Sequence, residues 1–354
     1  VKSARASIYE DYHLSNNTWG AYQCYGDPFY KLVKVSAASD KAAPEYLIAQ
    51  EAEIDLNNLI SDLDTGSADV PYALRKVQMI ADAVKKADIQ NSGTAENEAF
   101  IYAEIGDYEN AIKKFEDLFK MENAQFSVLA LEKYCNLSTR VCVSGYLSSA
   151  AQDKTNWAEQ LNTIIGRLDY LLLISPTAER YCLLGSAYKR RAIITSGVQR
   201  KASLKAAAFY YYMATQKTTQ PSVYAVTNWF QMEAVIRLND KQPWNLKETV
   251  TVSKNLFVPD ADTAMKKSYE LISREEAIET LARLQATINK PLHNMDYWQL
   301  VSGANIALCQ LVMSRKADKE AWGSLLETYK RVWKKSGSVA KRKTELEHLQ
   351  ALYS

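Results

Sequence analysis

From Pro44 onward, apolar positions recur at the three-to-four-residue spacing that puts them on one face of a helix. Ile48, Ala52, Leu56, Leu59, Ile60 and Leu63 form one such stripe, and Pro44 suits a first helical turn. A second helix is predicted over about Tyr72–Lys86, with Leu74, Val77, Ala81 and Val84 on one side and a turn from Gly66 to Pro71 ahead of it. Further amphipathic stretches fall at about 125–149, 156–173, 203–215, 222–238, 261–271, 274–288, 296–313, 319–334 and 339–352. The alternative period is rare. The aromatic run Thr18–Tyr25, closed by Gly26-Asp27-Pro28, reads as a strand after a short helix at Lys2–Tyr12. The stretch 239–260 carries Pro243, Pro259 and the β-leaning Thr249–Val252, and is expected to be a boundary or long loop.

Two stretches carry a finer pattern. In NEAFIYAEIGDYENAIKKFEDLF, Ala99, Tyr102, Gly106, Tyr108, Ala111, Phe115 and Leu118 alternate small, aromatic and turn residues. Small residues let two antiparallel helices approach, Gly106-Asp107 turns the chain, and Tyr102 and Phe115 fill the seam. In TAERYCLLGSAYKR, Tyr181, Leu184, Gly185 and Tyr188 repeat the series behind Pro176, and Ala207, Tyr211 and Ala214 fit the partner helix near 203–215. Both match the tetratricopeptide repeat of roughly 34 residues, the second with an insertion of about ten residues expected to lengthen its loop. The predicted fold is therefore all-α, a tetratricopeptide-like α-α superhelix of stacked hairpins. Such hairpins bury their apolar faces only by stacking, and the stack curves into a groove suited to a peptide or protein domain.

Composition narrows the chemistry. Twelve Gly and eight Pro in 354 residues are too few turn formers for an all-β chain. A formal charge of +2 supplies no broad field for a phosphate polymer, so direct nucleic-acid binding is not expected, and no apolar run is long enough to span a bilayer. Five scattered cysteines, Cys24, Cys135, Cys142, Cys182 and Cys309, form no C-x-x-C pair and read as reduced, buried thiols of a cytoplasmic protein. His13, His293 and His348 are not spaced with one another or with cysteine as metal ligands. No Gly-rich phosphate loop, G-x-S-x-G or H-E-x-x-H occurs, so no catalytic, cofactor or metal residues are assigned.

The repeat register proposes groove positions instead. Glu96, Phe100 and Glu104 in the first repeat, and Glu179, Cys182, Ser186, Lys189 and Arg190 in the second, should face the concave side. Glu96 stands where a clamp for a terminal carboxylate would need lysine, which argues against a chaperone C-terminus as ligand. Near the end, Lys330, Arg331, Lys334, Lys335, Lys341, Arg342 and Lys343 surround Trp333, and read first as a solvated helix end and second as a patch for an acidic partner.

The segment NNTWGAYQCYGDPFYKL, Asn16–Leu32, resembles the closing strand and exit turn of the CHAT family of caspase-like cysteine proteases, and VKSARASIYEDY before it is similar to that domain's last helix. The resemblance implies a remnant of a caspase-like α/β domain at 1–32, tetratricopeptide-like repeats at 33–240 and C-terminal helical repeats at 241–354. It implies as partners an upstream caspase-like protease domain and a protein substrate or activating protein complex. The family's His and Cys dyad would lie before Val1, and no position here matches either. The alternative expectation is a free-standing repeat scaffold without a protease link.

Overall fold

The computed structural model describes residues 44–65, 68–150, 154–219, 222–244, 246–253, 266–288, 297–314, 319–335 and 339–353. The expected helix at Lys2–Tyr12 and strand at Thr18–Tyr25 lie outside these. Residues 44–354 form one compact unit. Among the described residues, thirteen helices follow one another as α1 (Ala49–Thr65), α2 (Val70–Lys86), α3 (Ser92–Glu104), α4 (Tyr108–Lys120), α5 (Val128–Ser148), α6 (Lys154–Ile174), α7 (Ala178–Ile193), α8 (Gly197–Thr215) and α9 (Val223–Asn239), then α10 (Arg274–Ile288), α11 (Tyr297–Ser314), α12 (Lys319–Lys335) and α13 (Val339–Tyr353). The fold is all-α and tetratricopeptide-like.

The hairpins close as the spacing predicts. Asp107, the N-cap of α4, accepts from the Asn110 amide, and Gly106 takes the positive φ of 80° that the turn requires. Ala99 and Ala111 are fully buried between α3 and α4, and Phe100 meets Phe115 edge-on at 5.4 Å, the geometry the ring quadrupoles favour. In the second clear hairpin, Tyr188 of α7 stacks on Tyr210 of α8 at 5.3 Å. Gly185 faces the Tyr211 ring so closely that a β-carbon there would sit 2.9 Å from it.

The inserted residues of this repeat do not make a longer loop. They extend α8 back to Gly197, leaving a short link after Ile193. The added turn is held by polar ties, since Ser203 Oγ donates to the Gln199 carbonyl and Lys201 pairs with Asp240 at 2.7 Å.

A second correction concerns 261–271, where a helix was expected. Lys266–Leu271 is a strand, β2, paired antiparallel with β1 (Glu248–Ser253), with Val250 opposite Tyr269. Val250, Val252, Tyr269 and Leu271 are all buried while Thr249 and Glu270 are exposed. The alternation that buries one face of a ribbon prevails over the short helical stripe. The ribbon packs on α8.

One connection departs from nearest-neighbour stacking. α13 does not simply cap α12, but returns to lie against α3 and α7, far back in the chain.

Candidate functional site

The helices that open each hairpin, α3, α5, α7, α9 and α11, contribute residues to a shared cavity of about 1020 Å³ closed on one side by α13. Of the groove positions expected from the repeat register, Glu104, Glu179, Cys182, Ser186, Lys189 and Arg190 line it. Glu96 and Phe100 are placed elsewhere. Glu96 accepts from the backbone amide of Ser127 at 3.0 Å and from its hydroxyl, and so ties α3 to the start of α5. Phe100 is taken up by the Phe115 seam.

The cavity is organised around three cations. Arg190 donates to Ser186 Oγ at 2.9 Å on its own helix, and to Thr139 Oγ1 at 3.1 Å and Asn136 Oδ1 at 3.2 Å on α5. Lys189 donates to Asn228 Oδ1 on α9 at 2.8 Å and lies 5.8 Å from the Tyr211 ring centre. Arg140 of α5 stands over the Tyr108 ring at 5.5 Å. All three are buried. Burial, reinforced by the neighbouring Arg190 charge, pulls the Lys189 ammonium down to about 7, because both effects disfavour a charged amine.

α13 supplies the anions and the acceptor. Glu347 places a carboxylate oxygen 2.9 Å from Arg140 and 3.5 Å from Arg190, an ion pair that lacks the alignment of a hydrogen bond. Thr344 accepts from Arg140 at 3.0 Å, and His348 Nδ1 lies 2.9 Å from Lys189 Nζ. Glu345 is buried, and that burial lifts its carboxyl to about 6 against the pull of Lys189. At the N-terminal end of α13, Lys341 pairs with Asp64 at 2.5 Å and Lys343 donates to the Gly106 carbonyl at 2.7 Å.

Sequence reasoning missed Arg140, Asn136, Asn228, Glu345, Glu347 and His348. The available signal was a charge flanked by apolar neighbours, since Arg140 sits in NLSTRVCV, where Leu137, Cys142 and Val143 are core residues. The basic cluster of the C-terminus divides. Lys330 pairs with Glu327 at the surface, Trp333 packs on Tyr329 at 5.9 Å, and Lys341 and Lys343 are tied to the repeats.

Residues 107–233 match a family model described as TPR-S, Tetratricopeptide Repeats-Sensor. The matched segment runs from the N-cap of α4 into α9 and so contains Arg140, Lys189, Arg190 and Asn228. No curated protein matches the chain. The repeats are of the tetratricopeptide type, an architecture whose concave faces hold other proteins.

The chemistry visible here is recognition. Cys135, Cys142, Cys182 and Cys309 are free and buried. Burial pushes the Cys135 and Cys142 thiols up to about 11 and Cys182 up to about 12, away from a nucleophilic thiolate. No group of acids, histidines and cysteines among the described residues is arranged to hold a metal ion. No described helix is long and apolar enough to cross a membrane.

Proposed function

We propose that this chain is the partner-binding, regulatory arm of a caspase-like cysteine protease. The repeats take an activating protein or a protein substrate on the concave face and pass the change to a CHAT-type protease domain whose His and Cys lie outside this sequence. In this reading 1–32 closes the protease domain, 33–240 and 241–354 are successive sets of repeats, and the protein works in the cytoplasm, where scattered thiols stay reduced. Glu104, Glu179, Cys182, Ser186, Lys189 and Arg190 are the groove contacts, while Glu96 and Phe100 support the packing of the repeats instead.

The observation that carries the binding reading is the set of three buried cations on facing helices, Arg140, Lys189 and Arg190. Each is held by hydrogen bonds or an aromatic face within the repeats. Burying charge is costly, and a cluster of one sign is maintained where it meets an opposite charge. The link to proteolysis is supported by the resemblance of the TWGAYQCYGDP segment alone.

The test is reconstitution. The chain joined to the segment encoded before Val1 is assayed against a panel of proteins, with and without candidate activators, beside an Arg190→Glu variant. Cleavage that depends on Arg190 supports the proposal. No cleavage under any condition, with partner capture intact, replaces it by the free-standing scaffold, a reading favoured by the family match, which covers repeats alone.

A further inference from the structure

Three features of the cavity bear on what occupies it. First, one side of the groove is already closed by the chain itself. α13 reaches back across the repeats through Lys341 to Asp64, Lys343 to Gly106, Glu347 to Arg140 and Arg190, and His348 to Lys189. The ties of Lys341 to Asp64 and of His348 to Lys189 join positions 277 and 159 residues apart in the chain. Second, the receiving cations have partners besides α13, Arg140 through the Tyr108 hydroxyl at 3.5 Å and the face of its ring. Asn136, Thr139 and Ser186 hold Arg190, and Asn228 holds Lys189. Without α13, like charges would face each other in a buried pocket, a situation that calls for an anion.

Third, the fit of α13 is incomplete. Arg140 Nε, Glu345 Oε2 and His348 Nε2 are buried without a hydrogen-bond partner, although Arg140, Glu345 and His348 are each more than nine-tenths buried. Unsatisfied buried polar atoms are costly. Among the described apolar side chains of α13, Leu346 is exposed and Leu349 packs on the small cluster of Leu325 and Tyr329, not on the cations. The contact is held by charge and leaves polar groups that a better-matched segment could satisfy.

We propose that α13 is an internal stand-in for the ligand: Arg140 and Arg190 receive a carboxylate from an acidic helical segment of a partner protein, which displaces Glu347 and releases α13. This deepens the binding reading above and rests on it. A ligand shifts such an equilibrium only by its differential affinity for the open and closed forms, and the aligned carboxylate that Glu347 fails to provide is the source of that difference. Released, α13 exposes Glu345, Glu347 and His348, so binding is converted into a change at the end of the chain.

The experiment uses the full chain and, as probe, a labelled synthetic peptide of residues 339–354 with a twin in which both glutamates are replaced by glutamine. In the Glu347→Gln chain, amide exchange across 339–353 should quicken at least about tenfold while 178–193 stays protected. The glutamate peptide should bind that chain at least about tenfold more tightly than its twin, a difference of ~1.4 kcal/mol, and the preference should vanish when Arg190→Gln is added. Arg140→Gln replaces Arg190→Gln if the latter lowers the folded fraction. Unchanged exchange, equal binding of the twins, or release of α13 by inorganic phosphate at the peptide's concentration would overturn the proposal. Since the chain's own helix is the probe, these failures leave the protease-arm reading untouched, and that reading stands or falls by the reconstitution.

Discussion

Lys189 of α7 and His348 of α13, 159 positions apart, meet with Nζ 2.9 Å from Nδ1. Two cations could not share that distance in a buried site, so the imidazole is neutral and accepts the lysine proton. Burial, with Lys189 beside it, holds His348 well below the usual histidine range.

The pair makes docking of α13 depend on pH. Undocked, both groups move back toward ordinary values, so the docked state binds fewer protons between about 7 and the higher undocked lysine pKa, and again below the ordinary histidine pKa of roughly 6.5. Docking therefore weakens as pH falls through both windows. Glu345 acts in the opposite sense between about 6 and the ordinary carboxylate range, because its docked pKa is raised. The other charged groups facing the pair are Arg140, Arg190 and Glu347. Amide protection of 339–353, corrected for intrinsic exchange, should fall from alkaline to neutral pH and fall further below about 6.5. His348→Gln should flatten the acid limb alone. Protection that rises on acidification from pH 8 to 6 would contradict this account.

The approach of α7 to α8 at Gly185 yields a second prediction. Gly185→Ala would ordinarily gain up to about 1 kcal/mol in a helix interior. Here the new β-carbon would lie 2.9 Å from the Tyr211 ring, which is itself fully buried. Overpacking of this kind costs about 1–3 kcal/mol, so the variant should show a lower urea midpoint at unchanged slope. A midpoint equal to or above wild type would mean that the helices can part freely.

The buried acid behind the ribbon gives a third. Glu233 of α9 pairs with Arg237, which also pairs with Glu248 of β1, and accepts from Tyr269 of β2. Removing one member strands the others, and breaking a buried pair in this way costs about 3–5 kcal/mol. Glu233→Ala should therefore destabilise strongly. Tyr269→Phe, which removes a hydroxyl and keeps the ring stacked on Tyr212, should cost only about 1–2 kcal/mol. Chemical denaturation of the two variants side by side checks the order, and a larger loss for Tyr269→Phe would reverse the assignment.

The parts of this fold that were legible in sequence are those where local spacing and tertiary packing agree. At Ala99, Gly106, Ala111 and Phe115, each residue type is demanded by its own hairpin, so the pattern can be read without knowing the neighbours. The same register puts Glu104 and the α7 positions Glu179, Cys182, Ser186, Lys189 and Arg190 on one side, and these residues line the cavity. The seat of α13 was not legible, because Glu347 and His348 find their partners on α5 and α7, and no periodicity within 339–353 encodes a contact so distant. The ribbon was missed for a related reason. Six-residue strands are short enough for KKSYEL to fit either period, and pairing with Glu248–Ser253 decides between them.

The cysteines offer the last test, and it separates packing from chemistry. Cys309 is fully buried on α11, with its thiol 3.7 Å from the Thr227 carbonyl, and burial raises its pKa well beyond the ordinary thiol range. Cys182 lines the groove yet is pushed up to about 12 by burial, with Glu179 adding to the shift. Attack on an alkylating reagent requires the thiolate, and at pH 8 neither residue supplies it. Iodoacetamide followed by site-resolved mass spectrometry should therefore leave Cys309 unmodified in the folded chain and label it on unfolding in urea. Cys182 should remain slow in wild type but react faster in the Glu347→Gln chain, because release of α13 admits water to its side of the groove and lowers the cost of charge. Equal rates at Cys182 in the two chains would show that α7 stays covered when Glu347 lets go.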